Sequence, residues 1–295
     1  MIKPALKDDS FFEDVRRALA SPQSLHLWWL GQSGFLVQWR GRHLLFDPYL
    51  SDSLTLKYAA TDKPHVRMTE RVVAPDRLDF INVVTSSHNH TDHLDKETLE
   101  PLFRVNPGLE MVIPEANREF VASRLGISGV KPRGLDAGQS VTVAGFTFHA
   151  VPAAHNELEK DSSGRHKFLG YVVEAGPWTI YHSGDTLRYA GMEEWLRRRP
   201  IDVALLPING DRPERHVAGN LNGREAAVLA KDIGAAMVIP CHYDMFEFNT
   251  ASPEEFCATA RSLEQAHFVL RCGAHWSFYN PVKLADYSGK GTERS

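Results

Sequence analysis

The chain has 295 residues, 43% hydrophobic and 24% charged, a balance ordinary for a globular protein with a sizeable core. A net charge of −4 and a pI near 6.4 leave no basic footprint for nucleic acid, and no apolar run reaches membrane-spanning length. Three cysteines, Cys241, Cys257 and Cys272, do not make a disulfide framework, so a reducing, cytoplasmic setting is expected.

The N-terminus carries charges where a secretion signal needs an apolar stretch, and Phe11–Ala20 reads as a short amphipathic helix. Leu25–Leu30 and Gly34–Trp39 read as strands joined through Gly31-Gln32-Ser33-Gly34. A turn at Arg40-Gly41-Arg42 leads to a third strand, His43–Phe46, stopped at Asp47-Pro48. Residues 49–79 lack periodicity, and a connection that long is expected to be a lid or insertion beside a site. Phe80, Ile81, Val83 and Val84 form a short apolar run, a strand buried on both faces. Beyond it, helices are predicted at Lys96–Phe103 and Pro114–Leu125, with a strand at Glu110–Ile113 between them.

Two hairpins follow, Ser140–Val143 with Phe146–Val151 and Gly170–Glu174 with Trp178–His182. Then come a helix at Met192–Arg199, a strand at Val203–Ile208, a helix at Gly223–Ile233 opened by a capping box from Asn222 to Glu225, and a strand at Ala236–Pro240. Ser252-Pro253-Glu254-Glu255 is expected to open another helix in the same way. His267–Arg271 is expected to be the last strand, and residues 284–295 a frayed tail. Hairpins first, then helices between strands, on either side of residue 135, describe a single domain over 1–295. Its class is α/β, with two mixed sheets packed face to face and helices outside.

One stretch stands apart. After the apolar run come His88, His90, Asp92 and His93 within six residues. Protonated, the imidazoles would repel one another; buried and unpaired, these groups would be costly. A metal ion removes both problems, because neutral imidazole and carboxylate are its natural ligands. A helical site wants its His at i and i+4. Here positions i and i+2 diverge on a helix but point the same way in an extended turn. His88 and His90 are therefore expected to grip one ion, with Asp92 and His93 placed for a second. Further strands also end in metal-type residues: Phe146–Val151 before His155, Trp178–His182 before Asp185, Ala236–Pro240 before His242, and, less distinctively, Leu44–Phe46 before Asp47.

The set His88-x-His90-x-Asp92-His93, His155, Asp185 and His242 resembles the metallo-β-lactamase superfamily over nearly the whole chain. The resemblance implies a four-layer αβ/βα sandwich with a dinuclear centre at one edge. It implies His88, His90 and His155 on the first ion, Asp92, His93 and His242 on the second, and Asp185 bridging. WWLGQSGF (28–35), DPYLSDS (47–53), SSHNHTDHLD (86–95), HSGDT (182–186) and PCHYDMF (240–246) resemble most the L-ascorbate 6-phosphate lactonase branch. That branch implies a cytoplasmic, manganese-dependent lactonase. Gln32 departs from it, since many relatives carry His there.

Two divalent ions about 3.5–4 Å apart can share a bridging hydroxide, lower its pKa and polarise a carbonyl or phosphoryl oxygen. Asp92 is the candidate catalytic residue, orienting the hydroxide and taking its proton. Nitrogen and oxygen ligands admit manganese, zinc and iron. Thr85, Ser86, Ser87, Asp47 and Asp95 are candidates to orient the ligands, weighed against plain turn and cap roles.

Substrate-binding candidates are Arg212, Arg215 and His216, cationic residues ahead of a helix N-terminus, together with Tyr189 and Tyr243. Arg165-His166-Lys167 is a further cationic run. Cys241 and His182 read as packing residues, because strand alternation turns them away from their metal-type neighbours. The expected activity is hydrolysis of a sugar-acid lactone, with a small-molecule substrate, a phosphorylated one included. The alternative is a phosphodiesterase. No nucleic-acid or membrane partner is expected, and homo-oligomerisation is left open.

Overall fold

The computed structural model describes residues 1–126, 131–215, 217 and 219–291. The first half contains α1 (Asp9–Ala18), β1 (Leu25–Gly31), β2 (Gly34–Trp39), β3 (Arg42–Phe46), α2 (Ser53–Tyr58), β4 (Val83–Thr85), α3 (Lys96–Val105), β5 (Glu110–Pro114), α4 (Arg118–Leu125) and β6 (Arg133–Leu135). The second contains β7 (Ser140–Val143), β8 (Phe146–Pro152), β9 (Leu169–Ala175), β10 (Trp178–His182), α5 (Met192–Leu196), β11 (Val203–Pro207), α6 (Gly223–Asp232), β12 (Met237–Cys241), α7 (Glu254–Ser262), β13 (His275–Phe278) and α8 (Pro281–Gly291).

The strands form two sheets. One has seven strands in the order β13-β1-β2-β3-β4-β5-β6; the other has six, β12-β11-β10-β9-β8-β7. Hairpin-linked neighbours pair antiparallel, whereas β3 through β6 and β10 through β12 pair parallel across long connections, most of them helical. β1 and β2 are buried along their whole lengths, as strands covered on both faces must be. The resulting two-sheet sandwich has its apolar core between the sheets and under the helices. α1, for example, buries Phe11, Val15 and Ala18.

Strand direction places the functional edge. In the first sheet β1, β3 and β4 run the same way, and in the second so do β8, β10, β11 and β12. Gln32, Asp47, Ser86–His93, His155, Asp185 and His242 all follow the C-terminal ends of such strands.

Several expectations need correction. The 114–125 helix is split: a 3₁₀ turn at Glu115–Asn117 precedes α4, which ends at Gly126 in a left-handed cap. His267–Arg271 is no strand. His267 makes one bridge to Val238, and the last strand is β13, added beside β1. Asn222 and Glu225 form the expected capping box, but α7 has Pro253 at its N-cap, with Ser252 accepting from Glu254 N at 3.3 Å. The tail expected to fray from 284 is helical through Gly291 in α8, and residues 292–295 lie outside the described residues.

The segment 49–79 holds α2 and a 3₁₀ turn at Pro75–Arg77. Tyr49 and Leu54 pack with Met245 and Phe246, just past His242, which seats this segment beside the functional edge. Arg67 ties it down, bonding the Asp52 carboxylate at 2.7 Å and the Thr69 carbonyl at 3.1 Å. No helix among the described residues is long and apolar enough to cross a membrane.

Candidate metal centre

The loop after β4 bends over 87–90 and then turns, with His93 N bonded to the His90 carbonyl at 3.1 Å. It delivers two groups of side chains. In His88–His90–His155 the ligand-type atoms all lie within 4.8 Å of one another, and the same holds for Asp92–His93–His242. Asp185 stands between the groups. Its Oδ1 is 3.2 Å from His93 Nε2, and its Oδ2 is 3.3 Å from His242 Nε2 and 3.6 Å from His155 Nε2. The structure thus brings together all seven residues on which the sequence places the ions, in the expected division.

Gly184, just before Asp185, permits this approach. Its φ is +59°, and a Cβ there would lie 2.5 Å from Ser87 Cβ. Gln32, Asp47 and His242 are non-glycine residues with positive φ of 50°, 34° and 62°. Backbone strain of this kind concentrates where a site must be held in one shape.

Asp47, one of the orienting candidates, is the support beneath His93. It is fully buried and accepts from His93 Nδ1 at 2.8 Å, Thr85 Oγ1 at 2.7 Å, Ser87 N at 3.1 Å, and the Ser87 hydroxyl. Its bond to Nδ1 fixes the tautomer that leaves His93 Nε2 facing the centre. Asp47, His88 and His93 also lie within ligand distance of one another, but the Asp47 oxygens are saturated by these donors, so the trio is an orienting network. His155 is oriented alike, donating Nδ1–H to the Gly219 carbonyl at 2.8 Å. Of the other orienting candidates, Thr85 and Ser87 serve Asp47. Ser86 bonds the His88 carbonyl, and Asp95 accepts from Ser53 and Thr98, anchoring the start of α2 to α3. Phe168 lines the first group, with its ring 5.1 Å from that of His88 and 5.7 Å from that of His155; nothing in the sequence pattern marks it.

Charge divides the two groups. Burial holds His88, His90 and His155 below the ordinary histidine pKa, and for His88 the neighbouring His93 and His90 add to it. Burial opposes charge on His242 too, but Asp185 and Asp92 outweigh it and lift its pKa to about 9. His93 is raised likewise against its burial by Asp185 and Asp92. Asp92 and Asp185 are held low despite burial, chiefly by His93 and His242. The second group therefore holds protons where a cation would balance the same carboxylates. His88 Nε2, His93 Nε2 and Asp185 Oδ1 are buried with no hydrogen-bond partner among the described residues. Buried polar atoms are rarely left so, and a nitrogen–oxygen donor set of this kind fits divalent ions.

The substrate-binding candidates fare differently. Tyr243 is buried against Trp29 and donates its hydroxyl to the Leu270 carbonyl, so it packs the core and does not face a substrate. Tyr189 donates to the Pro152 carbonyl at 2.7 Å, bracing the loop that carries His155. Arg215 is committed to the carbonyls of Asn209 at 2.6 Å and Thr250 at 2.7 Å, which corrects its reading as a phosphate ligand. Arg212 is exposed, and His216 lies outside the described residues. Arg165, His166 and Lys167 pair with Asp161, Asp136 and Glu159. His182 stacks on Phe46 at 4.7 Å and donates to the Ser33 carbonyl, and Cys241 is buried, as strand alternation predicts for both.

A sandwich with this edge defines the metallo-β-lactamase architecture, and comparison with known proteins agrees. The family model for a beta-lactamase superfamily domain matches residues 42–243, and the chain belongs to that superfamily. A UPF0173 metal-dependent hydrolase of Caldivirga maquilingensis is 29% identical over 239 residues, covering 81% of this chain and 90% of the relative. Among solved structures, an isothiocyanate hydrolase from Delia radicum gut bacteria superposes with a TM-score of 0.67 at 20% identity, covering 86% of this chain and all of that one. Igni18, a metallo hydrolase of Ignicoccus hospitalis, superposes with a TM-score of 0.64 at 22% identity, covering 87% and 99%. Both structural likenesses speak to the fold.

Proposed function

We propose that the chain is a metal-dependent hydrolase and, more narrowly, a cytoplasmic lactonase acting on a sugar-acid lactone. The observation that carries the proposal is the convergence of His88 Nε2, His93 Nε2 and Asp185 Oδ1, buried and without a hydrogen bond among the described residues. The names of the curated relatives support the hydrolase reading. His88, His90 and His155 would hold one ion, Asp92, His93 and His242 the other, and Asp185 would reach both. Manganese, zinc and iron all suit the donors. Such ions, when bound, supply an activated water and polarise the bond to be cleaved.

The chain's own residues do the rest. Asp92 is the ligand-type carboxylate open to solvent, its side chain 16% exposed against 4% for Asp185. Its carboxylate can orient the attacking water and accept its proton. Arg215, Arg165 and Lys167 are engaged elsewhere, which favours a ring ester over a phosphodiester. The free cysteines Cys241, Cys257 and Cys272 suit a reducing compartment.

The test is a panel of lactones, phosphodiesters and β-lactams on metal-loaded protein, with Asp92→Asn in parallel and metal content measured in each sample. We expect lactone turnover, and a fall in kcat of about 10²-fold or more with little change in KM for the variant. Turnover of phosphodiesters alone would replace the lactonase reading. A fully metallated Asp92→Asn enzyme with normal kcat would remove Asp92 as the proton acceptor.

A further inference from the structure

β11 lies between β10 and β12 and runs parallel to both. Its C-terminal end therefore opens on the functional edge between Asp185, which follows β10, and His242, which follows β12. It supplies none of the seven ligand-type residues. What stands there is Asn209, and the chain returns antiparallel beside it. Asn209 is bridged to Asn222, and Gly210 N bonds the Leu221 carbonyl at 3.0 Å.

The returning stretch 219–222 touches the supports of the centre on both sides of Asn220. The Gly219 carbonyl accepts from His155 Nδ1 at 2.8 Å. Leu221 N bonds the carbonyl of Thr186, next to Asp185, at 2.9 Å. Leu221 itself is buried in the apolar core. Successive side chains on a stretch paired in this way point opposite ways, so Asn220 turns away from the core.

Amides nearby serve the fold: Asn222 Oδ1 accepts from Glu225 N and Asn156 Oδ1 from Gly219 N. The Asn220 amide does not. The residue is 1% exposed, and neither Oδ1 nor Nδ2 has a hydrogen bond among the described residues. Buried polar atoms are rarely left so, and each costs its desolvation. His88 Nε2, His93 Nε2 and Asp185 Oδ1 share the condition, in residues as deeply buried. The amide supplies what those atoms do not, a neutral N–H donor.

Resting on the lactonase reading, we propose that Asn220 is a substrate-contacting residue whose Nδ2 donates to the carbonyl oxygen of the bound ester. Negative charge grows on that oxygen as water adds, and the hydrogen bond strengthens with it. The amide is costly to the fold and is used in the reaction.

The experiment pairs stability with turnover on metal-loaded, full-length protein. Asn220→Leu keeps the branching of the side chain without its polar atoms, and Asn220→Ala covers the case in which Leu overpacks the site. Replacing a residue bonded within the fold lowers the urea midpoint; replacing an amide held for substrate does not. We expect the midpoint to hold or rise in at least one variant, with metal content as in wild type. In that variant kcat on the lactone should fall by about 10²- to 10³-fold, the scale for losing one such donor, with little change in KM. A midpoint lowered in both variants would show the amide bonded within the fold, directly or through water, and would overturn the proposal. Wild-type kcat in a folded variant would overturn it too. A wild-type chain that turns over no lactone would overturn the lactonase reading itself, whatever the variants do, so the two failures are distinct.

Discussion

Asp47→Asn isolates the support beneath the centre. The substitution keeps the shape, and Asn tolerates the left-handed φ of 34° as well as Asp does. What changes is charge and one acceptor. Asp47 accepts from Thr85 Oγ1, Ser87 N, the Ser87 hydroxyl and His93 Nδ1. An amide NH₂ must replace one oxygen. Beside Thr85 the hydroxyl can rotate and accept. Beside His93 it would force the proton to Nε2, the atom facing the ligands. The amide should therefore settle with its nitrogen toward Thr85, leaving neutral hydrogen bonds where charge-assisted ones stood. Bonds to charged groups contribute about 1.5–3 kcal/mol and neutral ones about 0.5–1.5. Weakening two or three of them in a fully buried site gives a loss of about 2–4 kcal/mol. His93 also loses the carboxylate that raises its basicity, so affinity at its ion should fall by about 10- to 100-fold. Urea unfolding of loaded protein and chelator competition measure the two effects. A variant within about 0.5 kcal/mol of wild type, the scatter of neutral surface changes, and with unchanged affinity would refute the role given to Asp47.

The remaining predictions concern pH and metal. Burial pushes His43 down to about 4, only partly offset by the Phe80 carbonyl, while its Nε2 meets Gln38 Oε1 at 2.9 Å. Because the folded pKa lies below the unfolded value of about 6.5, the stability it contributes is present above pH 6.5 and drains away as pH falls toward 4. The stability difference between wild type and His43→Gln should therefore shift by about 3 kcal/mol over that window, and a difference constant with pH in urea titrations would sink the assignment. Chelation should lower the melting temperature, because the ions bind the folded ligand set and not the open chain; an unchanged transition in protein shown to be metal-free would contradict this.

Much of the site was legible because its signals are local. His88, His90, Asp92 and His93 lie within six residues, and His155, Asp185 and His242 each follow a strand end. Period and turn chemistry place β1, β2, β7 and β8 within a residue or two. Where the reading failed, the decisive contact was distant. β13 is four partly exposed residues that become a strand only because β1 offers an edge 249 positions away from His275, where His26 meets it. Arg215 and Tyr243 carry side chains suited to a substrate, and only the fold reveals the carbonyls of Asn209, Thr250 and Leu270 that claim them.

Asp47 and Gln32 show the same limit from the other side. Each sits in a turn: Asp47 is legible in the sequence only as one of several orienting candidates weighed against a plain Asp-Pro turn, and Gln32 only as a departure from a resemblance. Each has positive φ, a conformation that costs energy and that a turn alone would assign to glycine. The sheet edges over-determine both backbones, and the strain aims a carboxylate at His93 Nδ1 and an amide at Asp92 Oδ2. The ligands announce themselves by type and spacing. The residues that aim them do so only through strand direction, which carries the ends of β1 and β3 to the edge where β4, β8, β10 and β12 also end. The ligand-type residues His93 and Asp92 are thus held by two side chains, Asp47 and Gln32, that lie outside the set of seven.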